Sequence, residues 1–173
     1  MSQLIPTQPV PDVDLPMLPD GRFSLAGDNP DFLSILAIYR GVHCPLCKKW
    51  LEQLDGLVDQ YAERGINVTA MSMDEEARAR LSQKDWNIDN VPLAYGMSEE
   101  LARSLGCYIS TKREGSKEPD RFCEPGLLLV HPDQTLYAGV WQTMPFTRPD
   151  WETLMGALDF VRDKDYPPRG AAT

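Results

Sequence analysis

The chain has 173 residues, enough for one domain with a sizeable buried core. Hydrophobic residues make up 42% and charged residues 25%, the balance of a globular protein, and the longest apolar run, Phe32 to Tyr39, falls far short of the roughly 20 residues that cross a bilayer. The formal net charge of -9, scattered along the chain, argues against nucleic acid and anionic membrane surfaces as partners.

The N-terminal stretch MSQLIPTQPVPDVDLP lacks the basic start and apolar run of a secretory signal, so a cytoplasmic location is expected. In that reducing compartment four cysteines point to metal or catalytic thiol chemistry rather than a disulfide framework. Pro6, Pro9, Pro11, Pro16 and Pro19 make the leader extended and at most edge-like. Val13 and Leu15 alternate with aspartates as a short strand would, and Asp20-Gly21 turns the chain into Arg22-Phe23-Ser24-Leu25. Residues 32–39 are apolar on both faces, the pattern of a central strand. Directly after the segment YRGVHCPLCKKW, Leu51, Leu54, Leu57, Val58 and Tyr61 predict one helix that Gly65 ends. Residues 66–73 read as a second strand, after which Asp74 caps a short helix starting at Glu75 and Glu76. Ser98 opens a helix carrying Leu101 and Leu105, stopped by Gly106. Residues 112–121 read as an exposed polar loop; GLLLVH and TLYAGVW form a hairpin through Pro132-Asp133-Gln134. Pro149, at a first-turn position, introduces a last helix with Trp151, Leu154, Leu158 and Val161 inward. The order strand, helix, strand, helix, helix, hairpin, helix predicts an α/β sandwich, a mixed central sheet between layers of helices. It is read as one domain over 1–173, with an extended leader over 1–11 and a tail over 165–173.

Chemistry concentrates at Cys44-Pro45-Leu46-Cys47. Such a pair can be a metal clamp, a structural disulfide or a redox centre. Cys44 falls where a buried strand meets an amphipathic helix, with Pro45 suited to the first helical position. Unpaired N–H groups and the positive end of the helix dipole then surround the sulfur and favour thiolate over thiol. Arg40 and His43 are close enough in sequence to add positive charge. Cys47, one turn in, is the more sheltered thiol, so the pair divides into an exposed nucleophile and a buried resolving group. A zinc site needs two more ligands, and Cys107, Cys123, His43 and His131 supply no second close pair. The redox reading is the strongest.

YRGVHCPLCKKWLEQL, the Glu124-Pro125 step before GLLLV, MPFTRPDWETLMGALDF and DYPPRG together resemble the peroxiredoxin-like branch of the alkyl hydroperoxide reductase/thiol-specific antioxidant (AhpC/TSA) family, from Val10 to Gly170. The resemblance implies a thioredoxin-like fold and a thiol-dependent peroxidase or thiol–disulfide oxidoreductase. Cys44 would attack, Cys47 would resolve it as an intramolecular redox-active disulfide, and Pro125 would match the cis-proline facing the pair. A peroxide or disulfide is the implied substrate, with an external dithiol such as a thioredoxin-like donor as reductant; relatives of this kind often form homodimers. The departures are specific. Peroxiredoxins place Pro-x-x-x-Thr-x-x before the attacking cysteine, where this chain has Ala37 and Gly41. The arginine expected from a later strand is replaced by Glu124, leaving Arg40 or Arg121 as substitutes.

Cys123, two residues before Pro125, is placed near Cys44 by that fold, as a buried thiol or an outward relay; Cys107 and His131 read as structural. The four tryptophans are spaced irregularly and fit core packing. No glycine-rich phosphate loop is present, so no nucleotide or flavin cofactor is expected, and no metal. A non-catalytic redox-sensing module is the competing class, with the Pro-rich leader and PFTRPDW as its surface.

Overall fold

The computed structural model describes residues 4–172, so the first three residues of the leader and the last of the tail lie outside it. The chain runs β1 (Asp14–Pro16), β2 (Arg22–Ser24), a 3-10 turn (Leu25–Gly27), β3 (Leu33–Ile38), α1 (Pro45–Asp55), α2 (Val58–Ala62), β4 (Ile66–Met71) and α3 (Glu76–Asp85). It continues through β5 (Leu93–Ala94), α4 (Glu99–Ser104), β6 (Ile109–Thr111), β7 (Arg121–Cys123), β8 (Gly126–Val130), β9 (Leu136–Trp141) and α5 (Trp151–Lys164).

The central sheet has the order β5-β4-β3-β8-β9. Strand β3 pairs in parallel with β4 and antiparallel with β8, so the sheet is mixed. All six residues of β3 are buried, because both of its faces are covered. Leu33, Ile35 and Ala37 face a cluster with Cys47, Trp50, Leu51 and Leu54 of α1, Ala79 of α3 and Trp151, Met155 and Leu158 of α5. Leu36 and Ile38 face a second cluster with Val13, Leu15 and Phe23 and with Ala102 of α4. This alternation puts helices on both faces of a mixed sheet, as the sequence predicts. The leader is edge-like too: Thr7 and Val10 donate to the carbonyls of Leu136 and Gln134 beside β9. Among the described residues no helix is long and apolar enough to cross a membrane.

Several expectations are corrected. The helix after Cys44 is two helices, because Gly56 caps α1 and Leu57 leads into α2; the apolar face nonetheless continues through both. Asp74 caps no helix. Glu75 holds that position, and the Asp74 carboxylate accepts instead from Val42 N and Arg78 Nε, both at 2.7 Å. Pro149 precedes α5, whose N-cap is Asp150, accepting from Thr153 N at 2.8 Å. Residues 112–121 are not wholly an exposed loop, since Arg121 opens β7 and Glu118 is buried.

Candidate active site

Cys44 ends the segment after β3 and is the N-cap of α1. Its backbone is extended, Pro45 takes the first helical position, and the sulfur accepts from Cys47 N at 3.4 Å. A first-turn N–H that would otherwise lack a partner is thus aimed at the sulfur, with the positive end of the helix dipole behind it. The same turn fixes Cys47 beneath Cys44, on the stripe that α1 buries through Trp50, Leu51 and Leu54.

Two guanidinium groups close over the sulfurs. Arg40 Nη1 lies 3.9 Å from Cys44 Sγ, and the Arg40 backbone N–H donates to Cys47 Sγ at 3.4 Å. Arg148 Nη2 lies 3.7 Å from Cys44 Sγ and 3.3 Å from Cys47 Sγ. The Arg148 loop follows β9, and its guanidinium also donates to the carbonyls of Pro145 and Thr147. Trp50 Nε1 pins that loop to α1 through Pro149 O at 2.9 Å.

These contacts split the two thiols. The hydrogen bond from the Cys47 thiol is the largest influence on Cys44; with the Cys47 N–H and the two arginines it outweighs burial and draws Cys44 from its ordinary value down to about 5. Burial pushes Cys47 well up, and the neighbouring Cys44 sulfur adds to this, so Cys47 stays a thiol although Arg148 lies nearer to it. Both cysteines are free, as are Cys107 and Cys123. Cys44 is not the exposed nucleophile expected: only 2% of its surface is accessible, because the arginines and the loop after β9 cover it.

Other expected residues fall elsewhere. His43 packs edge-on against Phe122, and burial holds it down at about 4, so it is neutral and adds no charge. Arg121 is exposed and bound to Glu99, far from a role at the sulfurs. Pro125 is not a cis-proline; Leu18-Pro19 is the one cis bond among the described residues. Between β7 and β8, Glu124 N donates to Tyr108 O and Pro125 O accepts from Gln142 N. Cys123 points away from the pair into the second core cluster with Cys107, and burial pushes both thiols up. Arg148 and Asp74 were missed. Arg148 stands between two prolines just ahead of a helix start, inside the MPFTRPDW stretch that carries part of the family resemblance, and that was its signal. Asp74 fills the space beside Gly41, whose φ is +128°; a Cβ there would lie 2.7 Å from a carboxylate oxygen. No hydroxyl-bearing side chain fits at that position.

The fold and this site define a thioredoxin-fold protein with a Cys-x-x-Cys pair under two arginines. Comparison with protein families matches residues 6–138 to the AhpC/TSA family, and the chain belongs to that family. It is accordingly an enzyme of the thiol-dependent peroxidase class. Its structural neighbours include the peroxidoxin BcpB of Mycobacterium tuberculosis, 16% identical over 92% of this chain and 99% of that one at a TM-score of 0.73. AhpC of Enterococcus faecalis is 18% identical over 95% and 97% at 0.73, and AhpC of Mycobacterium bovis is 13% identical over the full length of both at 0.75. At these identities the likeness is one of fold. Comparison with curated protein sequences gives no match.

Proposed function

We propose that Cys44 is the attacking thiolate and Cys47 the resolving thiol in the reduction of a peroxide. The thiolate attacks one oxygen of the O–O bond; that bond breaks, the other oxygen leaves as an alcohol or water after taking up a proton, and Cys44 becomes a sulfenic acid. The Cys47 sulfur then displaces the sulfenic oxygen as water, closing a Cys44–Cys47 disulfide. An external dithiol, of the thioredoxin-like kind, returns both to thiols by exchange and leaves as a disulfide. The site binds no cofactor in this scheme, and a reducing, cytoplasm-like compartment suits both the donor and the four thiols.

The observation that carries this reading is a thiolate-favouring sulfur, only 2% accessible, at a helix N-terminus under two guanidinium groups. A small oxidant needs only a narrow opening beside Arg148 to meet such a sulfur, whereas a folded partner, whether a disulfide substrate or the reducing dithiol, needs the loop after β9 to move. Arg148, with both sulfurs within 3.7 Å, takes the place beside the thiolate that Arg121 was expected to fill. Thiol–disulfide exchange is the second reading, favoured by the Gly41–Asp74 packing that removes the expected hydroxyl. The test is peroxide consumption with a dithiol donor. Cys44→Ser abolishes it, and Cys47→Ser, reduced and then mixed with peroxide in the absence of donor, consumes about one equivalent and stops as a trappable sulfenic acid. Full activity in Cys44→Ser would overturn the assignment.

A further inference from the structure

The two arginines over Cys44 are not equivalent. Arg148 has no carboxylate within 4.0 Å among the described residues; its partners are two backbone carbonyls and the two sulfurs. Arg40 is flanked by two. Its Nη2 lies 3.4 Å from Glu118 Oε1 and its Nε 3.2 Å from Glu124 Oε2, with side-chain exposures of only 3% and 9% for the acids. Its guanidinium also stacks over Phe122 at 4.8 Å.

Neither acid is spent on another buried cation. Glu118 is held more closely by Arg113, whose Nε and Nη2 lie 3.0 Å from Oε1 and whose backbone N–H donates to Oε2 at 2.9 Å; Arg113 is 77% exposed, and only part of the Glu118 charge is left for Arg40. Glu124 Oε1 accepts from Ser110 Oγ at 2.6 Å, which fixes the carboxylate without neutralising it. Its other oxygen has no hydrogen-bond donor aligned on it and faces Arg40 as a charge alone. The buried Glu124 carboxylate, with part of the charge of Glu118, therefore opposes the half-buried Arg40 guanidinium beside the sulfur.

From this arrangement we propose that Glu124, backed by Glu118, is a positioning residue that holds the Arg40 guanidinium back from Cys44 and cancels its charge, leaving Arg148 as the cation the thiolate depends on. The 3.9 Å gap from Arg40 Nη1 to the sulfur, wider than either Arg148 contact, follows from the two carboxylates pulling the other way. Among the described residues no further charged group is paired with the sulfur. His43 is neutral against Phe122, Arg78 is taken by Asp74, and the remaining group at the sulfur is the Cys47 thiol. The proposal rests on Cys44 being the reactive thiolate, but its test needs no turnover.

The experiment titrates the Cys44 thiolate by ultraviolet absorbance and by alkylation rate against pH, with Cys44→Ser as the blank. Four reduced proteins are compared: the parent, Glu124→Gln, Arg148→Met and the double variant. Glu124→Gln moves the titration down by roughly one unit, because it removes a negative charge and releases Arg40 toward the sulfur. Arg148→Met moves it up in the parent, but by less than half as much in the Glu124→Gln background, where Arg40 takes over. Equal upward shifts in both backgrounds, or an upward shift from Glu124→Gln alone, overturn the proposal. A merely structural role for Glu124 predicts additivity. Should Glu124→Gln fail to fold, Glu118→Gln tests the other end of Arg40 by the same cycle. If the cycle holds and peroxide is not reduced, the reaction assignment falls; if peroxide is reduced and the cycle is additive, only the role of Glu124 does.

Discussion

Cys44 is governed by what its sulfur touches: the Cys47 thiol and N–H, Arg148 and Arg40. All favour the anion, so protonation is confined to acid pH. The rate of attack on a small electrophile should be flat above about pH 6 and fall about ten-fold per unit below about pH 5, following thiolate fraction; stopped-flow measurement across that range checks it. Cys47, pushed the other way, stays protonated and supplies the hydrogen bond that lowers its neighbour. Gly41 is a second residue whose surroundings decide its chemistry. Threonine there would need a left-handed φ and would drive its Cβ into the Asp74 carboxylate. Gly41→Thr should therefore destabilise the fold by about 2–3 kcal/mol in urea denaturation and not speed the reaction with peroxide. A faster, equally stable variant would show that Asp74 yields.

The elements that matter most to the site are α1 and α5, which hold the Arg148 loop between them. Trp50 and Trp151 stack with centroids 4.6 Å apart, Trp151 Nε1 donates to Trp50 O, Tyr61 Oη donates to Trp151 O, and Trp50 Nε1 donates to Pro149 O. Trp50→Phe keeps an aromatic ring against Trp151 but gives up part of the stacked surface and leaves the Pro149 carbonyl without this donor. We expect a loss of about 1–3 kcal/mol in thermal or urea denaturation, and an upward shift of the Cys44 titration as Arg148 loosens. Unchanged titration with reduced stability would mean that the loop holds Arg148 without this anchor. Most elements were legible because their patterns are long: β3 as a continuous apolar run, α1 and α5 as helical stripes, β8 and β9 as two runs around a turn. Strands β5, β6 and β7 have two or three residues each, too few for any periodicity, and only their partners make them strands. Asp74 looked like a cap because local sequence cannot show that Val42, 32 residues earlier, will offer it a better donor.

Across the whole molecule, the Cys-x-x-Cys pair at a strand-to-helix junction was readable because its context is local. The cations over it were half readable. Arg40 is four residues from Cys44, whereas Arg148 is brought in across 104 residues by the packing of α5 on α1, and sequence spacing says nothing of that. The same limit explains Arg121, which pairs with Glu99 instead, Pro125, whose peptide bond is trans, and Cys44, whose burial depends on that distant loop. The central claim is that this covered sulfur is a thiolate tuned for a small peroxide. Rapid mixing of the reduced protein with hydrogen peroxide and, separately, with a model disulfide tests it most directly. The account predicts that Cys44 reacts with peroxide well above the rate of free cysteine at the same pH and faster than with the disulfide, and that the signal is lost in Cys44→Ser. A peroxide rate no higher than that of free cysteine would contradict it.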